Sequence, residues 1–266
     1  MRPKHLFLLS LIIIFSGCAS WSVPDTLGDP KNAQSFGYHP IDPLPVNLNV
    51  TGSGSPDNER LLKALPDETM RLAIGKIEGN GGITYGPAQA GYKGSSYVVV
   101  VDYIKFNTRS FGVKLEDSAD AEVKTKFASL APNPAEADVI VPVYIGVGLR
   151  LTANITVNEG SVNLGSLFAL GVAAQSKKVS GTLVVQTLGL SGESISTIIP
   201  MPSEINASTI QNALLALGAI KAKMYDTGTI VTPRVVGVYN NLGGGEKTIN
   251  GFISSMLQKP QILDIP

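Results

Sequence analysis

The sequence is poor in the residues that usually carry chemistry. It has one cysteine (Cys18), two histidines (His5 and His39) and one tryptophan in 266 residues. A single thiol cannot close an internal disulfide. So few imidazoles and thiols leave a His/Cys metal site without ligands, and no metal or cofactor is expected. Charge is sparse as well: 21 basic and 21 acidic residues cancel. Phosphate binding needs a basic face, so no nucleic-acid partner is expected. No apolar run reaches the ~20 residues of a membrane-spanning helix. Histidine-assisted catalysis has no candidate either. His5 lies in the basic N-terminal head, and His39 lies among prolines. The many acids cannot be paired by spacing alone as glycosidase carboxylates. No catalytic residue is named, and the chain is not expected to be an enzyme.

Glycine and β-branched residues are plentiful, with Gly at 28. That composition favours strands and turns over a helical bundle. The length suits one large domain or two small ones.

The N-terminus has three parts. Arg2, Lys4 and His5 form a basic head, Leu6 to Phe15 an apolar body, and Ser16-Gly17 a small-residue exit. Those are the parts of an export signal, here residues 1–17. The only cysteine follows at once. Phe15-Ser16-Gly17-Cys18 resembles the lipobox of the bacterial lipoproteins, an aliphatic residue and two small ones before an invariant cysteine. Phe15 stands where that family usually has Leu. The resemblance implies that Cys18 is the lipid-attachment site and becomes the new N-terminus. Ala19 is not the Asp that retains such proteins in the inner membrane, which implies the outer membrane. Several acyl chains together would hold the protein stably, at about 0.8 kcal/mol per buried CH₂.

Residues 18–57 carry Pro24, Pro30, Pro40, Pro43, Pro45 and Pro56 and show no sustained period. They are expected to form a flexible tether, in which only Val46–Val50 alternates like an edge strand. Residues 58–266 are expected to fold as one α+β domain. A short helix is predicted over Asn58–Leu65 and a strand over 69–79. Residues 97–106, apolar on both faces, read as a central strand. The polar stretch 117–137 suggests a weak helix and a loop.

The most regular pattern is VIVPVYIGVGLRLTANITV, 139–157, with an apolar residue at every odd position. From Pro142 the even positions read Pro, Tyr, Gly, Gly, Arg, Thr, Asn, Thr. Strict alternation predicts a strand with one apolar and one polar face. At about 60 Å it is long for a strand, so a bend or bulge is expected at Gly146 or Gly148. Residues 162–175 are read as its return strand, followed by strands at 178–190 and 195–200. Together they make an antiparallel meander. Ser208 with Gln211 suggests a capping box for a helix reaching Met224. Pro233 marks the next strand as an edge or a bulge. A last helix carries Ile249, Phe252, Ile253, Met256 and Leu257 on one face. The expected architecture is a β-rich antiparallel sheet with a long amphipathic hairpin and two or three helices on one face.

Three further features bear on function. NLGGGEKT, 241–248, between a predicted strand and helix, has the context of a phosphate loop. Glu246 occupies the position that needs glycine, and its carboxylate would repel phosphate. Asp102 is an acid inside a buried-looking strand, which suits a hydrogen-bonded structural residue better than a functional one. Lys177-Lys178 reads as a solvated turn.

The layout of lipobox, Gly-ended strand RLAIGKIEGNGG, ADVIV opening a long strand, hairpins and a helix resembles the curli secretion-channel lipoprotein family. The chain departs from that family where SSYVVVVDYIKF is a strand and not a helix. The expected function is a lipid-anchored, periplasm-facing lipoprotein of the outer membrane that binds or scaffolds other envelope proteins in assembly or secretion. The resemblance supplies an alternative: a homo-oligomeric secretion-channel subunit inserting its 139–175 hairpin. An envelope hydrolase is the third.

Overall fold

The computed structural model describes residues 37–265, apart from 53, 80, 87–89, 118–125, 244 and 260. Residues 1–17, expected to be an export signal, and Cys18 lie outside the described residues. The chain order is β1 (Gly37–Val50), α1 (Asn58–Lys63), β2 (Asp67–Ile77), β3 (Ile83–Gly86), β4 (Ala90–Tyr92), β5 (Ser96–Asp117) and β6 (Lys126–Leu130). A 3-10 turn at Pro134–Glu136 leads into β7 (Val139–Val157), β8 (Ser161–Asn163), α2 (Leu167–Gln175), β9 (Val179–Leu188), β10 (Leu190–Ser191), α3 (Glu193–Ser196) and β11 (Ser203–Glu204). Then come α4 (Ala207–Lys223), β12 (Ile230–Val231), β13 (Arg234–Asn240), α5 (Glu246–Leu257) and β14 (Gln261–Ile265). The fold is α+β.

The main sheet runs β14-β1-β13-β7-β5-β2-β3, with β9 on the upper half of β7 and β6 on the lower half of β5. Every pair is antiparallel except β1 with β14, so the sheet is mixed. The sheet also curls. His39 on β1 packs edge-on to Tyr85 on β3, ring centroids 4.9 Å apart, although four strands separate them in the sheet.

One face carries the main core. Val141 to Val157 at odd positions pack with Leu61 and Leu62 of α1, Leu170 of α2, Ile210, Leu217 and Ile220 of α4 with its C-cap Met224, and Ile249, Phe252 and Met256 of α5. The period-two face of β7 thus meets the helical stripes that need a partner. The other face was expected to be polar. It is so only at the upper end of β7, where Asn154 and Thr156 are exposed. Tyr144, Gly146, Gly148 and Arg150 are buried, because the curl brings β1, β2 and β3 over them. Ile104, Phe106, Tyr144, Leu188 and Val236 form a second core there.

Several sequence expectations change. Residues 37–50, assigned to the 18–57 tether, form β1 inside the sheet, with the C-terminal β14 outside it. Pro43 fits because the pairing with β13 breaks between Pro40 and Leu44, where it has no N–H to give; Pro40 and Pro45 stay in register on either side. Residues 162–175 are not a return strand. α2 is apolar all round, a pattern that period alone cannot assign. The antiparallel partner of β7 is β9. Residues 195–200 open on α3 instead of a strand, after Gly192 at φ 104°. Residues 118–125, part of the stretch expected to hold a weak helix, lie outside the described residues; on either side of them β5 continues to Asp117 and pairs with β6.

No bulge interrupts β7 against β5, whose register is continuous from Val139 to Thr156. Gly146 and Gly148 instead mark a change of partner: β13 reaches Gly146 and β9 starts at Gly148. Pro233 precedes β13, which is an interior strand whose bulge falls at Val236. The capping box of α4 lies two residues early. Asn206 Oδ1 accepts from Thr209 N at 2.9 Å, and Thr209 Oγ1 accepts from Asn206 N at 3.0 Å.

Candidate functional site

The strongest polar constellation among the described residues is built on two bulges. Arg150 is the only charged residue in β7 and sits directly across from Asp102 on β5. Arg150 Nε donates to Asp102 Oδ1 at 2.8 Å, and Nη2 donates to Oδ2 at 2.6 Å. This is the two-pronged carboxylate geometry that a guanidinium favours. Tyr38 on β1 donates its hydroxyl to the same Oδ2. Asp102 is fully buried and Arg150 nearly so.

Two more guanidinium hydrogens reach backbone. Nη1 donates to Ile41 O and Nη2 to Val236 O, each at 2.8 Å. Both carbonyls lie where pairing skips, Ile41 in the break of β1 and Val236 in the bulge of β13. A bulge releases its carbonyl from the ladder, and a buried carbonyl without a donor is costly. Arg150 therefore satisfies two orphan acceptors and ties β1, β5, β7 and β13 together. Burial opposes its charge, but the hydrogen bonds and charge of Asp102 outweigh that and hold its pKa above the usual value. Burial, then the neighbouring Asp102 carboxylate, push the Tyr38 hydroxyl well above its usual range.

His39 lies beside this cluster. Burial, and secondarily the charge of Arg150, lower its pKa to about 4. The imidazole is therefore neutral in the folded protein near neutral pH. A chain unfolded between pH 6.5 and 4 binds a proton that the native state refuses. Stability is full above pH 6.5 and falls as pH drops toward 4, by about 3 kcal/mol at most. Urea titrations of the parent and of His39→Gln across this window should diverge, the parent losing more stability. Parallel curves would show that His39 does not carry the effect.

Chemically, the cluster is closed. Asp102 accepts three hydrogen bonds and has no exposed oxygen, which is the structural role its place in the strand suggested. The described residues include no group of three His, Cys, Asp or Glu placed to hold a metal ion. The Gly-rich loop 241–248 does connect β13 to α5, as expected. Glu246 opens that helix, and Thr248 is buried inside it instead of facing the loop. Lys177 and Lys178 are exposed at the turn after α2.

Sequence reasoning singled out Asp102 but missed its partners. Arg150 was read as one more residue of a polar face, although a lone charge in a 19-residue strand is itself a signal. Tyr38 and His39 fell within the presumed tether. No family model, curated protein or solved structure matches the chain.

Proposed function

We propose that the chain is a lipoprotein acylated at Cys18, held at the outer membrane and facing the periplasm, whose domain binds or scaffolds other envelope proteins without catalysis. The observation that carries this is Phe15-Ser16-Gly17-Cys18, which places the only cysteine directly after a basic head and a short apolar body. The closed cluster around Arg150 supports a non-catalytic domain, since its hydrogen bonds go to strands and not toward a cleft. Residues 19–36 join Cys18 to β1. Fully extended they reach about 65 Å, enough to let the domain work away from the membrane.

The alternative is a channel subunit inserting residues 139–175. It would have to draw β7 out of a core that buries nearly all of its length, and residues 167–175 would have to abandon α2. Residues 18–266 carrying Cys18→Ser separate these readings. A soluble monomer by light scattering is expected. A requirement for detergent, or rings by negative-stain imaging, would replace the scaffold with the channel. Turnover of glycan or peptide substrates by the same soluble protein would replace it with a hydrolase.

A further inference from the structure

We infer that the corner formed by α2 and the β4–β8 ladder is a bilayer contact, which lays Phe168 and Val172 against an anionic membrane surface with Lys93, Lys177 and Lys178 on the headgroups. α2 contains no charged residue. Leu170, Gly171 and Ala173 face inward, while Phe168 and Val172 are 70% and 62% exposed. Four residues apart, these two share one outward face of the helix. A short helix with apolar residues outward and lysines at its end has the make-up of an interfacial element.

The lysines are brought together by backbone. α2 ends with Lys177 N donating to Ala174 O and Lys178 N to Ala173 O, both at 2.9 Å. That pair of bonds defines a Schellman motif, whose first residue past the cap needs a left-handed backbone and is usually glycine. Here it is Lys177, at φ 57°, the only non-glycine residue with positive φ among the described residues. A lysine held in a conformation that disfavours it is an observation that asks for a role for its side chain. Lys178 O accepts from Asn158 N at 2.8 Å, and Lys93 N donates to Gly160 O at 3.0 Å, so the three lysines converge on the 157–160 turn. All three are exposed. Beside Lys93, Tyr92 is exposed and pairs with Ser161. Glu159 is the acid within this turn, and Glu204 pairs across from Thr182 on β9.

A bilayer suits this corner better than a second copy, because two such corners would set three lysines against three. The inference rests on the lipoprotein reading for its source of membrane. The ~65 Å reach of residues 19–36 matches the length of β7, about 60 Å, so the anchored domain can lie with this corner on the same surface.

The test uses residues 18–266 with Cys18→Ser, which removes no described element and carries no acyl chain. The protein should co-sediment with phosphatidylcholine vesicles containing phosphatidylglycerol, and much less with phosphatidylcholine alone. Phe168→Ser with Val172→Ser, and separately Lys177→Glu with Lys178→Glu, should each lower partitioning about tenfold. Lys177→Gly should raise the thermal midpoint by roughly 2 °C and still weaken binding. A purely structural lysine would give the first effect without the second. Failure of the parent to bind, or equal binding by parent and variants, would overturn the inference. So would self-association that Phe168→Ser abolishes, which would make the face an interface between copies. None of these outcomes touches acylation at Cys18, which is read out separately.

Discussion

Arg150→Met is expected to destabilise the domain by about 3–5 kcal/mol, a loss large enough to deplete the folded protein. The substitution removes the charge that compensates Asp102, whose carboxylate is fully buried. It also strips the donors from Ile41 O and Val236 O, the two carbonyls released by bulges. Adding Asp102→Leu removes the stranded carboxylate and should recover part of the loss. Recovery should stop about 2 kcal/mol short of the parent, because the two carbonyls remain unpaired. Urea denaturation of the single and double variants measures both steps. If Arg150→Met came within 1 kcal/mol of the parent, the cluster would not be what holds β1 onto the sheet.

Gly148→Ala should cost about 3 kcal/mol, at the upper end for overpacking. A Cβ at this position would lie 1.9 Å from Tyr103 O and 3.0 Å from Ile104 Cα. Those atoms belong to the backbone of β5, paired with β7 along its whole length, and cannot yield as the end of a side chain would. Gly218 is the matched control. It lies in α4 with open space around its Cβ position. Gly218→Ala should stabilise the domain by about 1 kcal/mol through helix propensity. Equal effects at the two positions would mean that the β5–β7 approach is looser than described.

The parts of the fold legible in the sequence are those fixed by local period. The alternation of 139–157 gave β7, and the stripes of Ile210 to Met224 and Ile249 to Met256 gave α4 and α5 with the faces they bury, while Leu257, expected on the second stripe, is exposed. The illegible parts depend on distant partners. β1 is held by Arg150, by β13 and by five residues at the C-terminus, none of which announces itself near Pro40, Pro43 and Pro45. α2 was unreadable for a different reason: an all-apolar segment satisfies either period. The candidate site was half legible. Asp102 stood out as an acid in an apolar strand, but only the register of β5 with β7 places Arg150 across from it. Only the curl of the sheet brings Tyr38 to the same carboxylate.

The functional account depends on the N-terminus of the mature protein. Intact-mass and peptide mass spectrometry of the protein isolated from membranes tests it most directly. The account predicts that residues 1–17 are absent and that the first residue is Cys18 carrying acyl-chain mass, with Cys18→Ser abolishing the modification. An unmodified chain retaining Met1 to Gly17, or a cleaved chain with a free Cys18 thiol, would contradict it.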